Sequence, residues 1–92
     1  MKLIFSDNAW EDYLWWQSMG NEKGLERVNE LIKAAKRVPF KGIGKPEPLK
    51  GDLRGWWSRR ITGEHRFVYR ITGKGDEQSM DIAQLRYRYT DR

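Results

Sequence analysis

Apolar positions recur at helical spacing up to residue 37 and at strand spacing after residue 53, with a proline- and glycine-rich stretch between the two regimes. Residues 2–5, KLIF, form a short apolar run closed by Ser6, Asp7 and Asn8, whose side-chain oxygens can accept the free N–H groups of a first helical turn. A brief strand leading into a helix is predicted there. Trp10, Tyr13, Leu14 and Gln17 step by three and four residues, giving a short amphipathic helix that Met19, Gly20 and Asn21 bring to an end. Over residues 22–37 a second stripe follows, made of Leu25, Val28, Leu31, Ile32 and Ala35. Its acids lie early and its Lys33, Lys36 and Arg37 late, as the helix dipole favours, and Pro39 stops it. Residues 38–52 hold all three prolines and three of the nine glycines, and they read as an ordered loop.

Beyond the loop the period becomes two. Residues 53–62, 65–72 and 79–87 are rich in β-branched and aromatic side chains and are separated by Gly63-Glu64 and by Gly73-Lys74-Gly75-Asp76, which predicts an antiparallel meander. The expected fold class is therefore α+β: two N-terminal helices packed on one face of a small antiparallel sheet, with the N-terminal strand added at an edge or between strands. Alternation turns Phe67, Tyr69 and Ile71 toward the helices and leaves Arg66, Val68 and Arg70 on the open face. On the preceding strand Trp56, Ser58, Arg60 and Thr62 oppose Trp57, Arg59 and Ile61. On the last strand Ile82, Gln84, Arg86 and Arg88 alternate with Ala83, Leu85 and Tyr87. An open face lined with arginines is the predicted binding surface, since a guanidinium can grip a phosphate at two points and stack on a base.

Charge sharpens this picture. Residues 1–40 carry six basic and six acidic groups, whereas residues 41–92 carry twelve and seven, so the second half holds the whole net charge of +5 and is the half suited to a polyanion. Ninety-two residues suit a single domain, 1–92, with one modest core and any active site on its surface. Without cysteine there is neither a disulfide framework nor a thiolate metal site, and one histidine among scattered carboxylates gives no ligand spacing, so no metal or cofactor is expected. No apolar run approaches the roughly 20 residues of a membrane span, and the N-terminus turns polar too early for a signal peptide, which points to a cytoplasmic protein without a membrane partner.

Particular motifs narrow the reading. MKLIFSDNAWEDYLWW, NELIK, GKPEPLK, WWSRRITGEHRFVYRIT and the closing RYRY follow one another over nearly the whole chain, and in this order they resemble the YoeB-type toxins of the RelE superfamily. The resemblance implies a RelE-like microbial RNase fold and a metal-independent endoribonuclease that enters the ribosomal A site and cuts mRNA there. It further implies a cognate YefM-like antitoxin and a homodimer. Such cleavage sends the ribose 2′-OH onto the adjacent phosphorus and needs a base, cationic support for the phosphorane and an acid for the leaving 5′-oxygen. By resemblance Glu47 is the base, stiffened between Pro46 and Pro48, and Arg66 is the phosphate clamp. Lys50 and Arg60 support it, Arg59 and Arg86 are further cations for RNA, and Tyr89 stacks on the cut nucleotide. Taken without the resemblance, Glu47 would be an ordinary solvated loop carboxylate and each arginine a solvated surface charge.

One position departs from the family. Its C-terminal pattern is Arg-Tyr-His-Tyr with the histidine as general acid, but this chain reads Arg86-Tyr87-Arg88-Tyr89. A guanidinium keeps its proton at neutral pH and is a poor acid, so Arg88 is expected to stabilise charge while water or Tyr89 delivers the proton. An A-site binder that blocks translation without cutting is the alternative. A topoisomerase poison on the same fold ranks last, because Glu47 with Arg60 and Arg66 has no place in it. His65 is expected to point toward the helices as a structural residue, Trp56 and Trp57 to divide between open face and core, and Trp10, Trp15 and Trp16 to serve core or interface.

Overall fold

Strand β1 (Lys2–Phe5) runs straight into helix α1 (Asp7–Ser18), because the Ser6 hydroxyl accepts from the Ala9 N–H at 3.0 Å and caps the first turn. The computed structural model describes residues 1–88; Tyr89 lies outside the described residues. The buried face of α1 is Ala9, Asp12 and Trp16, not the predicted stripe: Trp10 and Leu14 stand 50% and 42% exposed. The helix is turned because Asp12 and Trp16, one helical turn apart, both bind the backbone of Leu85 far along the chain. Trp10 instead stacks on Tyr13 and edges onto Phe5 at the rim.

Helix α2 (Glu22–Arg37) matches its stripe. The Asn21 side chain accepts from Gly24 N–H at 2.9 Å, and Val28, Leu31, Ile32 and Ala35 are buried, each large apolar side chain contributing about 1.5–3 kcal/mol. Gly24 carries no side chain because the Trp16 ring occupies the space a Cβ would need.

Four further strands complete the sheet: β2 (Glu47–Pro48), β3 (Trp57–Arg60), β4 (Arg66–Thr72) and β5 (Ser79–Gln84). The order is β1-β5-β4-β3-β2, with β1 parallel to β5 at one edge and the other pairs antiparallel. The predicted meander is present but shorter, because the chain bends away at 61–64, where the His65 carbonyl accepts from both Ile61 and Thr62 N–H. The stretch 38–52 is not loop alone: it contains β2 and runs into a single helical turn at Gly51–Leu53. A register shift between Val68 and Tyr69 pairs Val68 with Gln84 but Tyr69 with Ile82, leaving Ala83 as the extra residue. Ile82 and Gln84 therefore lie on opposite faces, which corrects the strict alternation read from the sequence.

The core lies between the helices and the sheet. Phe67, Tyr69, Met80, Ile82, Leu85 and Ile61 meet Trp16 and the α2 stripe, with the Phe67 and Tyr69 rings stacked at 4.5 Å. The expected α+β arrangement, with both helices on one face, is the observed one. Among the described residues no helix is long and apolar enough to cross a membrane.

Candidate active site

On the face turned away from the helices, one row of register partners crosses the sheet: Glu47, Ser58, Val68 and Gln84. Ser58, Val68 and Gln84 are buried, and Glu47 ends the row exposed on the edge strand. Arg60 and Arg66 are direct partners one pleat further along, on the same face. Two strand spacings put the Glu47 and β4 backbones about 10 Å apart, a gap that a carboxylate and a guanidinium on long side chains can close around a phosphodiester. Lys50 follows two residues after β2's Pro48 and is exposed. Beyond Glu47 the chain is anchored by Leu49, which is buried and whose N–H donates to the Trp56 carbonyl at 2.9 Å.

The two ends of this face differ. At the far end the Arg70 guanidinium donates to Asp81 Oδ2 at 2.8 Å and lies 4.6 Å from the Trp56 ring centre, so its charge is already partnered. At the near end Arg66 Nη1 donates to the carbonyls of Thr62, Gly63 and His65, which fixes the plane of the guanidinium on the 62–65 turn. Arg88 Nη2 reaches the Gly63 carbonyl at 3.5 Å, which brings it to the same turn.

The C-terminal segment is carried to that turn peptide by peptide. Asp12 accepts from Leu85 N–H at 2.9 Å, and the Trp16 indole donates to the Leu85 carbonyl at 2.7 Å. The Gln84 amide donates to the carbonyls of Arg86 and Tyr87; Tyr87 N–H donates to His65 Nδ1 at 2.8 Å, and Arg66 N–H to the Tyr87 carbonyl at 3.1 Å. These bonds hold Tyr87 at φ 64°, a conformation that side chains rarely adopt. His65 lies against Trp15, Trp16 and Tyr87, and burial lowers its pKa from 6.5, with Arg86 and Arg66 adding to the shift and Glu64 and Asp12 opposing it. The neutral ring accepting at Nδ1 is a structural histidine, as its alternation predicted.

One predicted RNA contact is corrected. Arg59 is wholly buried on the helix side of the sheet, its guanidinium donating to the carbonyls of Val38, Pro39, Lys41 and Ile43 and to the Tyr69 hydroxyl, so it cannot touch RNA. Its alternation with Trp57 and Ile61 already carried that signal. Arg86 is braced against α1, with Nε 3.7 Å from Asp12 and its guanidinium 4.7 Å from the ring centres of Trp15 and Tyr87. Asp12 and Gln84, which place the C-terminal segment, are not among the residues the sequence singles out for the site. Asp12 and Trp16 on one helix face were the available sign, whereas nothing local marked Gln84. Trp56 and Trp57 divide as expected, Trp56 under Arg70 and Trp57 against the core with Phe40 4.7 Å away.

Two helices on one face of this sheet, with Glu47, Arg60 and Arg66 on the other, are the architecture of the RelE-like toxin fold, which solved structures of such toxins share. Within that class the chain belongs to the YoeB-like toxins of bacterial type II toxin-antitoxin systems, whose family model matches residues 5–89. It is 53% identical over 89 residues to Toxin YoeB of Escherichia coli strain K12, covering 97% of this chain and 100% of that one. A YoeB/ParE toxin structure from Agrobacterium tumefaciens superposes with a TM-score of 0.90 at 53% identity, covering 97% and 100% of the two chains. YoeB of Staphylococcus aureus, solved as a dimer and in a YoeB-YefM complex, matches with TM-scores of 0.80 and 0.81 at 41% and 42% identity, covering 97% of this chain and 98% of each of those.

Proposed function

We propose that this toxin is a ribosome-dependent endoribonuclease of the cytoplasm that cuts mRNA in the A site and so inhibits translation. The observation that carries the reading is the exposed carboxylate of Glu47 on the same sheet face as the paired Arg60 and Arg66, with Arg88 at the turn that holds Arg66. Glu47 takes the proton of the ribose 2′-OH as that oxygen attacks phosphorus. Arg66 and Arg60 hold the non-bridging oxygens, and the bond to the 5′-oxygen breaks to leave a 2′,3′-cyclic phosphate. Arg88 neutralises the departing oxygen while water or Tyr89 supplies its proton. No metal enters these steps. Lys50, exposed beyond β2, adds to the attraction for the RNA backbone.

Purified protein added to ribosomes programmed with a defined mRNA, with new RNA ends mapped by primer extension, tests this. Cuts in the A-site codon are expected. They should be absent without ribosomes and fall about 10²–10⁴-fold in Glu47→Ala, with the circular dichroism of the variant unchanged. Arg88 in the acid's position favours a second reading, an A-site binder that does not cut. Translation blocked equally by the parent chain and Glu47→Ala, with no new ends, would establish it. Arg88→His should raise cleavage several-fold near neutral pH; an unchanged rate would show that the guanidinium is not what limits the reaction.

The likeness to the S. aureus complex and dimer supports two partners. One is a YefM-like antitoxin, whose acidic segment would neutralise the basic second half; the other is a second copy of this chain. Light scattering with and without the antitoxin reads both assemblies.

A further inference from the structure

The segment 38–44, which delivers the chain to Glu47, lacks the usual means of being ordered. Its large apolar side chains face outward: Val38, Phe40 and Ile43 are 46%, 48% and 43% exposed, and only Phe40 finds a ring to lie on, that of Trp57. Its carbonyls turn inward instead, onto a single cation. Arg59 Nη2 donates to Val38, Pro39 and Lys41 oxygens at 2.7, 3.3 and 2.9 Å, Nη1 to Ile43 at 3.0 Å, and Nε to the Tyr69 hydroxyl at 3.0 Å. That hydroxyl in turn donates to the Pro39 carbonyl at 2.6 Å, and burial raises the Tyr69 pKa, which keeps the phenol able to donate. Arg59 is 0% exposed, and among the described residues no carboxylate pairs with it. The loop itself is its counter-charge, supplied as backbone dipoles.

The geometry continues to Glu47. Gly44 packs so closely on Arg59 and Leu31 that a Cβ there would stand 3.1 Å from Arg59 Cβ and 2.6 Å from Leu31, at φ +84°. Its carbonyl accepts from Arg60 N–H at 2.7 Å, and only Lys45 and Pro46 separate it from Glu47. Strand β2, two residues long, is too short to order itself and takes its position from what holds it on either side. Downstream that is buried Leu49; upstream it is the loop wound on Arg59.

We infer that Arg59 is a positioning residue for Glu47: its buried fork gathers the 38–44 carbonyls and thereby sets where the edge-strand carboxylate stands against Arg60 and Arg66. Lysine would not serve, because three N–H groups on one atom cannot reach carbonyls spread around a planar fork. This rests on the nuclease reading for its kinetic consequence but not for its structural one.

The test compares Arg59→Lys and the milder Tyr69→Phe with the parent chain by amide hydrogen exchange, by NMR of the Glu47 side-chain carboxyl, and by ribosome-dependent cleavage resolved into kcat and KM. Expected are faster exchange confined to 38–44, a broadened or shifted Glu47 carboxyl resonance, and kcat lower by about 10²-fold in Arg59→Lys, as misplacement of a catalytic group by an ångström costs. KM for ribosomes should stay within about twofold, since the Arg60 and Arg66 face is untouched. Tyr69→Phe should change each readout in the same direction and less. A loosened loop with unchanged Glu47 resonance and kcat would overturn the inference, as would a loss expressed in KM alone. If the parent chain does not cut, the nuclease reading fails, and the Glu47 resonance alone decides: altered in Tyr69→Phe it supports the inference, unchanged it refutes it. The same two outcomes decide should Arg59→Lys not fold.

Discussion

Two irregular segments bring the candidate catalytic groups to the sheet face, and they are held by different chemistry. Residues 38–44 wrap a buried permanent cation, whereas residues 85–88 are tied by a carboxylate, an indole, an amide and an imidazole drawn from α1, β5 and the 62–65 turn. The first is a hub: one side chain lost releases several carbonyls at once. The second is a line of separate ties, each replaceable in part by its neighbours. The hub is indifferent to pH, because neither arginine nor a carbonyl titrates in the ordinary range, while the line contains one histidine that does.

The hub should be the costlier to break. Arg59→Met leaves the carbonyls of Val38, Pro39, Lys41 and Ile43 without a donor, and a loss of about 3 kcal/mol is expected in urea unfolding. Asp12→Ala, which leaves the buried Leu85 N–H without its acceptor and removes the carboxylate beside Arg86, should cost about 2 kcal/mol. Hydrogen exchange then separates the two regions: the first change should speed exchange in 38–44 and the second in 85–88, and cross-over between them would show that hub and line are one cooperative unit. Tyr69→Phe removes the Arg59 and Pro39 bonds but keeps the ring, for about 1 kcal/mol.

Acidification should give the smallest effect and reach only the line. His65 has a lowered pKa, so the folded chain binds fewer protons than the unfolded one. Its contribution is complete above the ordinary value of 6.5 and is lost as pH falls through the folded value. Unfolding midpoints at pH 7.5 and pH 5 should therefore fall more for the parent than for His65→Asn, whose amide oxygen can accept from Tyr87 N–H without titrating. Equal falls would remove His65 from the account.

Much of this was legible from residue order. The α2 stripe and its caps, the meander, the helix-facing Phe67 and Tyr69, and a face bearing Arg60 and Arg66 all follow from period and alternation, which are local properties. The misreadings differ in cause. The face of α1 was misjudged because Trp10 and Leu14 are as apolar as Trp16, and what decides between them is Leu85, far away in sequence. Arg59 stands among the expected RNA contacts because its charge outweighs the inward alternation that Trp57 and Ile61 mark.

Composition and periodicity by themselves determined the fold class, the basic half and the position of Glu47 in a stiff proline setting. Ordered motifs pointed to the family. Only the tertiary structure decided which loop closes over Arg59 and which side chains tie the C-terminal segment to the 62–65 turn. It also placed the bulge at Ala83 that puts Gln84 beside Val68 rather than with Ile82. These outcomes depend on hydrogen bonds between residues 21 to 73 positions apart, and such pairings are settled by the whole packed chain rather than by any stretch of it.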